Sequence, residues 1–168
     1  MSQVPDGNQQ RRLLLRILDE AFDKKAWHGP NLLGSIRRVP ATLAVRRPGR
    51  GRHNIAGITV HCAYWKYAIR RRIRGDKRGS FTLKGSNWFD LSSRLTDTQW
   101  RGYVALVREE HAALRETLAS TPWRALVKAF GGEPKFLEQA YGIAMHDTYH
   151  AGQIQTLKAI LKRSTPSH

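Results

Sequence analysis

The sequence predicts an all-α protein built as a four-helix bundle, and three observations carry that expectation. Four long segments repeat apolar residues at intervals of three and four, the period of one helix face. No segment alternates strictly with β-branched residues, so strands are not expected to contribute much. The 168 residues, 40% of them hydrophobic, suffice for one domain with its own core and are too few for two of ordinary size. One domain is therefore expected over 1–168, with 1–8 and 164–168 as flexible tails.

The first helix is expected over residues 9–25, with Leu14, Ile17, Leu18, Ala21 and Phe22 on one face. It ends at Trp27-His28-Gly29-Pro30, after which 31–38 suits a short helical segment. Residues 39–51 hold two prolines and two glycines and read as a loop. The second helix is expected over 54–74, capped by Asn54 and stopped by Gly75 in the left-handed conformation. Its apolar stripe is Ile58, His61/Cys62, Trp65, Ile69 and Ile73. Residues 75–95 form a polar connection with turn residues Gly79, Gly85, Ser86 and Asn87. The third helix starts near Thr96-Asp97, where Thr96 and Gln99 have the spacing of a capping box. It presents Trp100, Tyr103/Val104, Val107, His111, Leu114 and Leu118 before Pro122. A short turn or helix over 122–130 leads to Gly131-Gly132. The fourth helix, over 135–162, carries Ile143, His146, His150, Ile154, Leu157 and Leu161 on one face.

Apolar runs such as Leu13-Leu14-Leu15 and Ala125-Leu126-Val127 fall far short of the roughly 18 residues a membrane span needs. The N-terminal residues lack the basic-then-apolar order of a secretory signal. Cys62 is the single cysteine, so no internal disulfide forms and a reducing, cytoplasmic compartment is expected. The 29 basic and 13 acidic residues leave a net charge of +16. Arg46, Arg47, Arg50, Arg52, Lys66, the arginines at 70, 71, 72, 74 and 78, and Lys77 are opposed within 46–78 only by Asp76. Such density suits phosphate neutralisation, and a basic bundle that binds nucleic acid is one reading. The other is a solvated surface, with the arginines at 70–74 placed at a helix C-terminus where cations suit the dipole. Aromatic residues are not interleaved with the loop arginines.

Among seven histidines, His146 and His150 are four apart, on one face of their helix a turn apart. Both fall on the apolar stripe, where an unpaired polar ring is costly, and His61 lies on or beside the buried face of the second helix. Three inward-facing histidines from two helices are what a bundle-core metal site needs. The alternative is three ordinary core histidines, each bonded to a carbonyl or a tyrosine. Three nitrogen donors leave coordination positions open for water or substrate, unlike a closed structural zinc site. Imidazole suits Zn²⁺, Ni²⁺ or Fe²⁺, and the lack of a carboxylate argues against Mg²⁺ or Ca²⁺.

Other residues have a pocket reading and a plainer one. His28 suits a proton donor, a fourth ligand, or a cap for the short helix after Pro30. His53 suits the pocket or an exposed loop, and His111 a bond that orients a ligand or a core packing role. Gln153, near His150, suits a bond to its ring or to substrate, and Tyr149 the pocket rim. Asp147 suits a pair with a neighbouring helix, and Cys62, beside His61, a soft ligand or a small buried hydrophobe.

The segment Met145-His146-Asp147-Thr148-Tyr149-His150-Ala151-Gly152-Gln153-Ile154 resembles the HDxYHxGQI signature of the DinB/YfiT-like superfamily of metalloenzymes. Val60-His61-Cys62-Ala63-Tyr64-Trp65 resembles its second-helix motif, and Trp27-His28-Gly29-Pro30 a motif of one branch; the three occur in the expected order. The resemblance implies an up-down-down-up four-helix bundle and a metal held by His61, His146 and His150. It further implies a metal-dependent transferase or hydrolase acting on a small molecule, with a low-molecular-weight thiol as cosubstrate, and a homodimer. The basic residues beside the entrance would favour an anionic substrate. A non-catalytic metal-binding dimer is a further reading. One departure is Gly57, which stands where related sequences often carry glutamate four residues before the histidine.

Overall fold

The computed structural model describes residues 7–163, and among these the fold is all-helical. The elements are α1 (Gly7–Phe22), α2 (Leu32–Ile36), α3 (Ala41–Ala44), α4 (Ile55–Arg74), α5 (Asp97–Ser120), α6 (Trp123–Phe130) and α7 (Glu133–Arg163). Extended pairing among the described residues is confined to an isolated bridge between Ser86 and Trp88. None of the described helices is long and apolar enough to cross a membrane. Of the expected tails, residues 1–6 and 164–168 lie outside the described residues, whereas Gly7 and Asn8 open α1.

Local capping explains several boundaries. Asn54 Oδ1 accepts the Gly57 N–H at 2.8 Å and starts α4, and Gly75 ends it at φ +72°. At α5 the Thr96 hydroxyl accepts the Gln99 N–H while Gln99 Oε1 accepts the Thr96 N–H, a reciprocal cap. Asn31, not His28, caps α2, its side chain accepting the Gly34 N–H at 2.8 Å. Most ends fall within two residues of expectation, and two places differ more. Helix α1 stops at Phe22 rather than 25, where the Asp23 and Lys24 N–H groups both turn back to Asp19 O. The expected loop at 39–51 contains α3, because Ala41 and Ala44 are buried and the Pro40 carbonyl accepts the Leu43 and Ala44 N–H groups.

The core divides in two. One cluster joins Phe22, Leu32, Ile55, Val60, Trp100, Val107, Ile154 and Leu157. The other joins Leu14, Leu18, Ile69, Leu114, Leu118, Phe130, Phe136 and Ile143. Fully burying each aliphatic or Phe side chain is worth about 1.5–3 kcal/mol, so these clusters outweigh any single surface contact. Helix α4 lies against both α5 and α7, which widens its buried face and shifts it from the expected stripe. Lys66 is wholly buried, whereas Trp65, expected inside, is exposed.

Each arginine at 70–74 has a partner within the fold, but only those at 70 and 74 meet a carboxylate. Arg70 pairs with Glu110 of α5 at 2.9 Å. Arg71 donates to Asp76 O, and Arg74 pairs with the Asp76 carboxylate at 3.3 Å. Arg72 donates to Ala129 O and lies over the Phe130 ring.

Candidate metal centre

Helices α4 and α7 bring three imidazole nitrogens to one point. His61 Nε2 lies 2.9 Å from His146 Nε2, and His150 Nε2 lies 3.1 Å from the same atom. His146 and His150 share a face because they are one turn apart on α7; His61 enters from α4. His61 and His150 are buried and His146 is half-buried. Nitrogen lone pairs at such separations repel one another unless a proton or a cation lies among them.

The outer nitrogens of two rings have dedicated acceptors. His61 Nδ1–H donates to Asn87 O at 2.9 Å, and His150 Nδ1–H to Gln153 Oε1 at 2.6 Å. Gln153 Nε2 then donates to the Tyr149 hydroxyl, which orients the amide. With the proton at Nδ1, each ring turns the Nε2 lone pair inward, the arrangement metal-ligating histidines use. His146 Nδ1 is buried with no hydrogen-bond partner. Burial, with the neighbouring histidines and Lys66 adding to it, holds His146 down at about 3; burial holds His150 at about 4 against the Gln153 hydrogen bond, which raises it. Burial likewise depresses His61. The three rings are neutral at neutral pH, and three neutral imidazoles are a donor set that fits a transition ion.

The connection between α4 and α5 closes one side of the cluster. Trp88 lies flat on His61, ring centroids 3.8 Å apart and planes 4° apart. His53 stacks on the opposite face of the same indole at 3.6 Å. Asn87, at φ +60°, takes the left-handed conformation asparagine tolerates better than most residues. Its carbonyl thereby meets His61 while its side-chain oxygen accepts the Trp65 indole N–H at 3.0 Å. Phe81 and Phe89 anchor the connection against Tyr64 and Tyr67. Trp65, Met145 and Tyr149 stay exposed around the three histidines.

Beside the cluster, Lys66 of α4 and Asp147 of α7 form an ion pair wholly shielded from solvent. Burial pushes the Asp147 carboxyl up while Lys66 pulls it down, and burial prevails. Potential donor atoms of Cys62, His146 and Asp147 also lie within 4.8 Å of one another. Burial raises the Cys62 thiol well above its ordinary range, and a thiol that does not ionise is a poor ligand.

The remaining candidates divide. Tyr149 and Gln153 join the cluster through the bonds described, and His53 joins through Trp88. His28 is exposed in the turn after α1 and is not among the gathered histidines. His111 is buried elsewhere, stacked on Phe22 at 3.7 Å with Nε2 3.7 Å from Asp19 Oδ1. Gly57 is half-buried in the first turn of α4, and a Cβ there would stand 3.0 Å from Asn54 Oδ1. Trp88, Asn87 and Lys66 escaped the sequence reading as site residues. The Trp88-Phe89 pair, two adjacent aromatics in a connection otherwise rich in polar and turn residues, was the visible signal for the first.

Residues 24–154 match the model of one family, described as the DinB superfamily. No curated protein and no solved structure matches the chain.

Proposed function

The chain belongs to the DinB superfamily, and from that premise we propose that it is a metal-dependent enzyme, a transferase or hydrolase acting on a small molecule. His61, His146 and His150 would hold one divalent transition ion, zinc, nickel or iron. The observation that carries this reading is the convergence of three Nε2 atoms, those of His61 and His150 lying 2.9 and 3.1 Å from that of His146, with two rings oriented by carbonyl oxygens. Such an ion, when bound, supplies Lewis acidity toward water or a low-molecular-weight thiol cosubstrate.

The chain's own residues have separable tasks in this proposal. Asn87 O and Gln153 Oε1 keep the His61 and His150 lone pairs pointing inward. Trp88 prevents His61 from rotating and shields that side from water. Exposed Trp65, Met145 and Tyr149 offer an apolar rim to the organic part of a substrate. Exposed Arg50 and Arg52, just before His53, favour an anionic one.

The proposed bundle topology is up-down-down-up, and long-range pairs support it. Arg11 near the start of α1 donates to Thr121 O beyond the end of α5, so these helices oppose one another. Helices α4 and α5 agree in direction: Val60 clusters with Trp100 and Val107, and Ile69 with Leu114 and Leu118. Parallel neighbours need a long connection, and residues 75–96 supply it. A homodimer and a cytoplasmic location complete the proposal; exposed Tyr141, Met145 and Tyr149, spaced by four along α7, are apolar surface suited to a second copy.

The test is elemental analysis of protein purified without chelator or affinity-column metal, beside the His146→Ala/His150→Ala variant. About one equivalent of transition metal in the parent, lost in a folded variant, is expected. Equal metal in both, or none in the parent even after Zn²⁺ or Ni²⁺ is added, would overturn the assignment. Thiol dependence is then tested by screening transfer and hydrolysis with and without a thiol cosubstrate.

A further inference from the structure

Away from the three histidines, an open groove of about 1310 Å³ runs between the turn after α1, the α2 segment and the first half of α5. Lys24, Lys25, Arg37, Arg38, Arg101 and Arg108 line it, against only Asp23 and Asp97, while Leu33, Ile36, Val39 and Val104 are among its apolar lining. All six basic residues are exposed. Lys25, Arg37, Arg38 and Arg108 have no ion-pair partner among the described residues, in contrast to the arginines at 70 and 74. None of His61, His146 and His150 lines the groove.

A second observation stands at its lip. Trp27 lies between Ala26 and Gly29, both lining residues, and is fully exposed. An indole can bury about 150–250 Å² of surface, so leaving one fully in water forgoes a large stabilisation. The adjoining Gly29, at φ +102°, takes a backbone conformation that side chains rarely adopt and helps present the turn outward.

We propose that this groove binds single-stranded nucleic acid, its basic walls following the phosphates while Trp27 stacks on a base. A positively charged channel plus an exposed aromatic platform is the general means of holding a single strand without reading its sequence. Concavity favours a strand over a membrane. A membrane-docking face projects a broad apolar surface with basic residues around it, whereas here one aromatic tip stands beside a trough with charges on both walls. A duplex would hide the base faces that Trp27 needs.

The test uses the full chain and fluorescein-labelled oligothymidylate and oligouridylate of about 15 nucleotides, with fluorescence anisotropy read over a salt series. Binding to both is expected, weakening with salt in proportion to the phosphates neutralised. Trp27→Ala should weaken it by about fivefold to a hundredfold with the salt slope unchanged, and Trp27→Phe should restore most of the loss. Arg37→Ala/Arg38→Ala should lower the slope by about 1.4, whereas Arg71→Ala/Arg74→Ala should leave affinity near that of the parent. The proposal fails if Trp27→Ala binds as tightly as the parent or if the two arginine variants lose affinity equally. It also fails if polyglutamate displaces the oligonucleotide at equal charge concentration, or if the chain sediments with phosphatidylserine vesicles yet ignores both oligonucleotides.

Discussion

Lys66 and Asp147 face each other across the α4–α7 contact with no solvent reaching either side chain, one residue along α7 from His146. The pair ties together the two helices that supply all three histidines, and its register sets His61 opposite His146 and His150. Removing one partner of such a pair leaves an uncompensated buried charge, at a cost of about 3–5 kcal/mol. Lys66→Met and Asp147→Leu are each expected to lose about that much stability in urea denaturation, and the double variant to recover most of it. Single variants within about 1 kcal/mol of the parent would show that the charge is relieved by another route.

Gln153 orients His150 without approaching the inner nitrogens. Gln153→Ala should therefore lower metal affinity about 10–100-fold, the usual effect of losing a partner that orients a ligand. Competition against a chromogenic chelator measures this, with circular dichroism to confirm unchanged helicity. Unaltered affinity would mean that helix packing alone orients the ring.

Trp88→Ala should act on His61 in the same way, since it removes the ring that lies flat against that imidazole. Faster metal release to chelator is expected, with Trp88→Phe intermediate because a smaller aromatic keeps part of the stack. Identical release from all three proteins would remove Trp88 from the site.

His111 gives stability a pH dependence of its own. Burial and the nearby Lys66 charge, with Arg115 adding slightly, hold it at about 3, against the partial opposition of Asp19; its ordinary value is 6.5. Between those values the unfolded chain takes up the proton and the folded one does not. The contribution is therefore full above 6.5 and is lost as pH falls toward 3. Urea midpoints at neutral and mildly acidic pH should drop less for His111→Gln than for the parent. A parallel drop in both proteins would assign the acid sensitivity to other groups.

Gly75 ends α4 at φ +72°, with its N–H directed to Arg72 O. Gly75→Ala should cost about 1–2 kcal/mol, the strain of a Cβ in left-handed backbone. Thermal unfolding followed at 222 nm, the helical band, measures it; an unchanged midpoint would mean that the turn relaxes to another conformation.

Helix boundaries were the most legible feature. Asn54 and Gly57, Thr96 and Gln99, and Gly75 with the carbonyls before it interact within four residues, so spacing alone specifies them. Places where boundary reading failed had tertiary causes: α3 forms in a Pro/Gly-rich stretch because Ala41 and Ala44 are buried there.

The nearness of His146 to His150 is likewise a consequence of helical period, and the apolar residues around them place both on an inward face. Nothing local could assign the acceptor for His61, because Asn87 contributes a backbone carbonyl, which has no side-chain signature and is 26 residues away. Lys66 read as one more surface cation until Asp147, 81 residues on, accounted for its burial. The basic residues gathered at 46–78 drew attention by density along the chain, yet those at 70–74 are bound to Glu110, Asp76 and Ala129. The groove cations from 24, 37, 101 and 108 become neighbours only after folding. Hydrogen bonds that close within one helical turn depend on spacing along the chain and were readable there. Which face of α4 meets α7, which carbonyl meets His61 and which charges share a groove depend on how the whole core packs, because contacts between distant residues form only when the helices dock together.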